Sequence, residues 1–281
     1  MNISFETDSN GDISPNLFFP IYWSQNLFSG IGYTSSKNIE NSTIQNFSDS
    51  RESKAINQQN LKVNFISKKF KKEKYSFSIG LIGEYINIEN TQFGFIHDKN
   101  SLFQKGDIWI AFDNSLDIEV LKYGLYFDVT SKLHKKIFIR LSGDITPTAK
   151  VKLAQNTRFK PLVLEGKKFK NSSTQDFSYS LLLEMMFQTD LGFSLGAEYE
   201  YIFFPLKYDL AVLGKNGGNY FFQTSKVESE TVTNSWIIKL ILDKKILGDM
   251  QPSIGFGKSR IVENSKTTNN DIIRFGIEKR F

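Results

Sequence analysis

The chain has 281 residues, room for one large β domain or two ordinary ones, and no cysteine, which excludes disulfides, thiolate metal sites and thiol nucleophiles. Aromatic residues reach 14% while charged residues make up 23% and mean hydropathy is -0.30, a mixture that suits a sheet closed around a polar interior with a greasy outside. A formal charge of +5 does not point to nucleic acid, because 35 basic and 30 acidic residues are interspersed and the clusters Lys68-Lys69-Phe70-Lys71-Lys72 and His134-Lys135-Lys136 fall between strands.

Alternation of apolar and polar residues predicts the elements in chain order. Asn2 to Thr7 forms a first strand, turned by Asp8-Ser9-Asn10-Gly11-Asp12, whose Asn-Gly pair takes the positive φ angles of a hairpin. A second returns through Leu17, Phe19, Ile21 and Trp23, weakened by Pro20, which removes a ladder donor. The third sets Leu27, Ile31 and Tyr33 against Gly30, Gly32 and Thr34. The uncharged stretch from Ile13 to Ser36 is read as two strands and not a membrane helix, because Pro15, Pro20 and Ser24-Gln25-Asn26 interrupt it. Lys37 to Asn60 is a long polar segment, expected as an exposed loop.

Strand four sets Leu61, Val63 and Phe65 against Lys62 and Asn64, and strand five sets Tyr75, Phe77, Ile79 and Leu81 against Ser76, Ser78, Gly80 and Ile82. Ile88 to Glu119 is too apolar for a solvated loop; it either extends the strands above a membrane or inserts as a plug. Strand six places Leu121, Tyr123, Leu125, Phe127 and Val129 opposite Lys122, Gly124, Tyr126, Asp128 and Thr130. Strand seven places Ile137, Ile139, Leu141 and Ile145 opposite Phe138, Arg140, Ser142 and Asp144. After a long loop, Val151 to Ser173, strand eight runs from Phe177 to Gln188 with Leu181, Leu183 and Met185 opposite Ser178, Ser180 and Glu184. Strand nine puts Leu195, Tyr199, Tyr201 and Phe203 opposite Ser194, Gly196, Glu198 and Glu200, then climbs to a tip at Gly217-Gly218. Strand ten descends to Trp236, Ile238, Leu240 and Leu242 with Lys239 and Asp243 inward; strand eleven surrounds Ile254 and Phe256; a loop from Asn264 to Asn270 feeds the last strand.

That strand alternates Ile273, Phe275, Ile277 and Phe281 with Arg274, Gly276, Glu278 and Arg280. It resembles the closing strand of Gram-negative outer membrane β-barrel proteins, whose terminal signal is a polar residue, a glycine two further on, a hydrophobic residue three beyond that, and a final aromatic. Arg274, Gly276 and Phe281 match; Lys279 stands where a hydrophobic residue is usual, and a lysine near the membrane edge can snorkel. The resemblance implies an all-β protein, a transmembrane antiparallel up-and-down β-barrel occupying residues 1–281 as a single domain, located in the bacterial outer membrane. Its surroundings are then outer membrane lipid and lipopolysaccharide, and Arg274, Gly276 and Phe281 are read by the barrel assembly machinery. No secretory signal precedes Asn2-Ile3-Ser4-Phe5, so a leader is expected to have been removed. Short connections alternate with mostly longer ones, as short periplasmic turns and long extracellular loops do. The count is twelve strands, with ten or fourteen open. The rival is a soluble sandwich or barrel, whose core strands also alternate.

The interior face then holds Lys122, Asp128, Arg140, Asp144, Glu184, Glu198, Glu200, Lys239 and Arg274, with Asp243 and Glu278. They form either a charged constriction that selects small solutes in a passive, porin-like pore, or a salt-bridged filling that keeps the wall rigid. A second class of function is adhesion or assembly through the loops Lys37 to Asn60 and Val151 to Ser173, the latter with Lys160, Lys167, Lys168 and Lys170. The third, an interfacial lipid hydrolase, needs a histidine paired with a serine. His97 and Ser101 have the residue types without the spacing of those families, and His134 sits in a basic turn, so no catalytic residue and no enzyme is expected. No pattern of metal ligands or of a phosphate- or dinucleotide-binding loop is present, and no cofactor is expected.

Overall fold

The computed structural model describes residues 2–7, 13–24, 26–43, 51–98, 108–160, 167–216, 219–242, 250–263 and 265–279. Strands β1 (Asn2–Thr7), β2 (Ile13–Ser24), β3 (Leu27–Thr43), β4 (Arg51–Lys71), β5 (Tyr75–Asp98), β6 (Ile108–His134) and β7 (Ile137–Lys160) follow one another antiparallel. β8 (Lys167–Gln175), β9 (Ser178–Gln188), β10 (Phe193–Asn216), β11 (Asn219–Leu242), β12 (Met250–Glu263) and β13 (Lys266–Lys279) complete the chain. β1 pairs with β13 from Asn2↔Glu278 to Thr7↔Ile273, which closes the sheet on itself. β8 lies against Ala149 to Thr157 of β7 and β9 against Ile137 to Thr146, so the two are pieces of one stave. Twelve staves therefore form the ring, as the alternation predicts. Closure leaves no strand edge at membrane depth, where an unpaired amide costs several kcal/mol.

Prolines mark where ladders stop. Pro15 pairs only with β1, Pro20 only with β3, Pro205 only with β11 and Pro252 only with β13, so none must donate on both sides. Pro147 falls between Thr146, the last partner of β9, and Ala149, the first of β8, and divides that stave. Opposite it the β6–β7 register shifts between Tyr123 and Leu125. Gly124 occupies that shift, where a Cβ atom would lie 2.1 Å from the Ile145 carbonyl oxygen. In the turn between β9 and β10, Gly192 takes a φ of 83° and the Thr189 hydroxyl donates to the Phe193 carbonyl at 2.5 Å.

Three expected loops are strand. Lys37 to Thr43 pairs with Arg51 to Asn57, so all but the centre of the segment Lys37 to Asn60 extends the β3–β4 hairpin. Val151 to Lys160 and Lys167 to Ser173 belong to β7 and β8, and Lys266 to Asn270 opens β13. On the β3–β4 extension and at the start of β13, polar residues on both faces erase the two-residue signal although the backbone ladder continues. Of the readings for Ile88 to Glu119, the described residues lie in the wall, paired from Ile88↔Ile118 to Asp98↔Ile108. Asp243, the Gly217-Gly218 tip and Phe281 lie outside the described residues.

The wall is uneven. β4 to β7 have 21 to 27 residues and β10 and β11 have 24, whereas β1 has 6, β2 has 12, and β12 and β13 have 14.

Candidate functional site

The outward face carries the large apolar side chains. Leu183 is 46% exposed, Ile238 57% and Phe275 49%, values that a soluble sandwich, which buries its alternating apolar face, would not leave. Phe177, Tyr179, Tyr201 and Phe203 cluster on β9, β10 and the residue before β9, with Tyr179 and Tyr201 stacked at 5.7 Å. Aromatic rings of this kind form girdles where membrane meets water.

The inward face surrounds a cavity of about 1040 Å³. Nine of the eleven charged residues assigned to the interior line it: Lys122, Asp128, Arg140, Asp144, Glu184, Glu198, Glu200, Lys239 and Arg274; Asp243 and the Glu278 side chain lie outside the described residues. Most are paired. Arg140 donates from Nε to Asp128 at 2.6 Å and lies 3.9 Å from Glu184. Lys239 is 2.6 Å from Glu184 and also bonds Glu198; Arg274 donates to Glu198 at 2.6 Å and through Nε to Glu6 at 2.7 Å. The chain Asp128, Arg140, Glu184, Lys239, Glu198, Arg274, Glu6 thus crosses β6, β7, β9, β10, β11, β13 and β1. Lys62 reaches from β4 to Asp144 on β7 at 2.5 Å, and Lys122 meets Glu84 at 2.9 Å. Glu200 accepts from the Ser235 hydroxyl at 3.4 Å. Gly196 makes room for Lys239, since a Cβ there would lie 2.7 Å from its Cγ.

Glu6, Lys62 and Glu84 join the lumen without having been singled out from the sequence. Lys62 was visible as the polar partner of Leu61 and Val63. Glu84 lies between inward-facing Ile82 and Ile86, an apolar neighbourhood that hides its role, and Glu6 sits on the shortest strand. His134 is exposed at the end of β6, and the His97 side chain lies outside the described residues. Among the described residues no metal-ligand cluster occurs.

Above the charged lumen the two faces exchange character. On β6, Leu121, Tyr123 and Leu125 point out and Lys122 in; past Leu121, Asp117 and Glu119 point out and Ile118 and Val120 in. On β7, Lys150 and Lys152 are exposed while Val151 and Leu153 are sealed. The inversion places the outer membrane boundary near Leu121, because charge on the outside requires water there. Inside the raised wall Ile86, Leu116, Ile118, Val120, Ala149, Val151 and Leu153 form a dry core, packed against Phe169 of β8 and Phe204, Leu206 and Tyr208 of β10. The Lys122 ammonium lies 4.2 Å from the Phe204 ring centroid, where lumen and core meet. At roughly 1.5–3 kcal/mol per buried aliphatic side chain, prising this cap apart costs on the order of 10 kcal/mol even after discounting for residual burial.

Beyond Phe203, among the described residues, no ladder joins β10 to β8. Side chains close that seam instead: the Gln155 amide both donates to the Ala211 carbonyl and accepts from its N–H, each at 2.9 Å. The Ser173 hydroxyl donates to the Lys207 carbonyl at 2.6 Å, Asn171 donates to Asp209 at 3.0 Å, and Lys207 donates to Asp176 at 2.8 Å. The hydrogen bond and charge of Lys207 hold the exposed Asp176 carboxyl below the usual carboxylate range.

A closed antiparallel ring of twelve staves, apolar outside and charged within, defines the class: this is a membrane-spanning β-barrel of the outer membrane type. No protein-family model matches the chain, and no curated protein matches it. Among solved structures it is similar to a KdgM porin at 10% identity, covering 100% of this chain and 99% of that one with a TM-score of 0.42. The toluene transporter TodX of P. putida is similar at 10% identity, 100% and 87% coverage and a TM-score of 0.46. The translocator domain of the autotransporter NalP from Neisseria meningitidis is similar at 10% identity, 100% and 86% coverage and a TM-score of 0.47.

Proposed function

We propose that the protein is a passive outer membrane channel for small solutes, with residues 1–281 forming one barrel domain and the paired lumen charges acting as its filter. The observation that carries this reading is the cavity of about 1040 Å³ inside the ring, lined by seven carboxylates and six cationic side chains. Charges paired this tightly hold the wall rigid, and their near balance favours weak ion selectivity over strong discrimination. Arg274, Gly276 and Phe281 serve as the assembly signal, with Arg274 also anchoring the lumen network. The discriminating experiment is single-channel recording on refolded protein in planar bilayers. Discrete steps with weak selectivity are expected, and the absence of steps at any protein density would rule the channel out.

A second reading, adhesion or assembly through the outer surface, draws on the raised wall of β3 to β8 and β10 to β11, which projects well past the boundary near Leu121. Cells that lose surface attachment when the β10–β11 extension is trimmed, with conductance unchanged, would favour it.

A further inference from the structure

The apolar cap meets the charged lumen at Lys122 and Phe204, yet the inner face of the raised wall is not uniform. On β5, β6 and β7 the inward side chains Ile86, Val120 and Val151 are sealed from water. On β2, β3 and β4 the inward Asn16, Ser36 and Gln58 are exposed, although Gln58 pairs with Ile88 at the margin of the dry core. One rung below Ser36 and Gln58, Thr34 and Asn60 line the cavity, and Lys62 and Glu6 follow. The wall is also lowest on this side, with 6 residues in β1 and 12 in β2.

We propose that the lumen communicates with the cell exterior sideways, over the low wall of β1 and β2 and along the wetted inner face of β3 and β4, while the sector capped by β5 to β8 and β10 stays shut. This rests on the channel reading. The entrance is lined by Asn16, Thr34, Ser36, Gln58 and Asn60, amides and hydroxyls that exchange hydrogen bonds with water for bonds with a polar solute of either sign. Asn60 is the last of them. Its amide nitrogen donates to Glu84 at 2.6 Å, which ties the entrance to the charged lumen.

The absence of native cysteine makes the test direct. Ser36→Cys and Gln58→Cys are each reacted with a sulfonated methanethiosulfonate, with Lys152→Cys on the outer face as control, and complete modification is checked by mass. Single-channel conductance is expected to fall by about half or more for the two vestibule positions, with selectivity moved towards cations, and to stay unchanged for the control. Phe204→Ser loosens the cap and is expected to leave conductance unchanged. Unaltered conductance in both modified vestibule variants overturns the route, as does a rise in Phe204→Ser, which would mark an axial path. An unmodified parent that never conducts instead removes the channel reading itself, and the route with it.

Discussion

Lys239→Met tests the lumen network most sharply. Lys239 is 4% exposed and sits between Glu184 and Glu198. Removing it leaves two buried carboxylates facing each other, and breaking a buried pair in this way costs about 3–5 kcal/mol. Each acid keeps a second cation, Arg140 at 3.9 Å for Glu184 and Arg274 at 2.6 Å for Glu198, which places the expected loss at the lower end, about 3 kcal/mol. That is a shift of roughly a hundredfold in the unfolding equilibrium. Reversible urea unfolding in lipid vesicles, followed by tryptophan fluorescence, reads it. In Lys239→Met/Arg274→Ala, Glu198 keeps neither Lys239 nor Arg274, so the loss in the double variant should exceed the sum of the two single losses; Lys239→Met/Glu198→Gln should recover part of the single loss. A Lys239→Met protein as stable as the parent would show that water, and not the cations, solvates these carboxylates, and the account of a paired filter would fall.

Other consequences follow from the same geometry. Leu183→Lys puts a charge on the lipid face and is expected to cost about 2–4 kcal/mol in the same unfolding assay, whereas Ser36→Lys, on the wetted inner face, changes stability little. Val151→Asp buries a carboxylate in the cap without a partner and is expected to lower the midpoint of heat-induced mobility change on gels, while Lys150→Asp, on the exposed face, leaves it in place. Because the Asp176 carboxyl is held down by Lys207, the pair stabilises the seam above the ordinary carboxylate pKa and stops doing so as pH falls through the lowered value. Carbon-detected titration of Asp176 should therefore show a midpoint below about 3.9 that rises in Lys207→Met. Gly192→Ala, at a φ of 83°, is expected to cost about 1 kcal/mol in the unfolding assay.

Within the membrane the sequence was readable because the outward face stays greasy from stave to stave, although Phe18, Ile82, Phe138, Leu182 and Ile237 also line the interior. Leu183, Ile238 and Phe275 lie outside, and nine of the eleven charges that the two-residue period sets inside line the cavity. Above the boundary the rule reverses. Val151 and Leu153 turn inward and Lys150 and Lys152 outward, so a continuous strand reads as a charged loop if the membrane phase is assumed throughout. The polar β3–β4 extension carries no phase at all, since amides and hydroxyls occupy both faces. The prolines held usable information: Pro147 and Pro205 stand where ladders end, and together they locate the divided stave and the seam above it. What no local pattern could supply is which charges meet, because Lys62 and Asp144, or Arg274 and Glu198, become neighbours only when the sheet closes.

On β6 and β7 the two faces exchange character at the membrane surface. Spin labels placed singly from Leu116 to Phe127 of β6 in lipid vesicles, each probed for oxygen and for aqueous nickel collisions, measure it directly. The account predicts oxygen-rich signals at positions 121, 123, 125 and 127, nickel-rich signals at 117 and 119, and protection from both at 116, 118 and 120. Oxygen-rich signals continuing unbroken through 119 and 117, or water at 118 and 120, would contradict it.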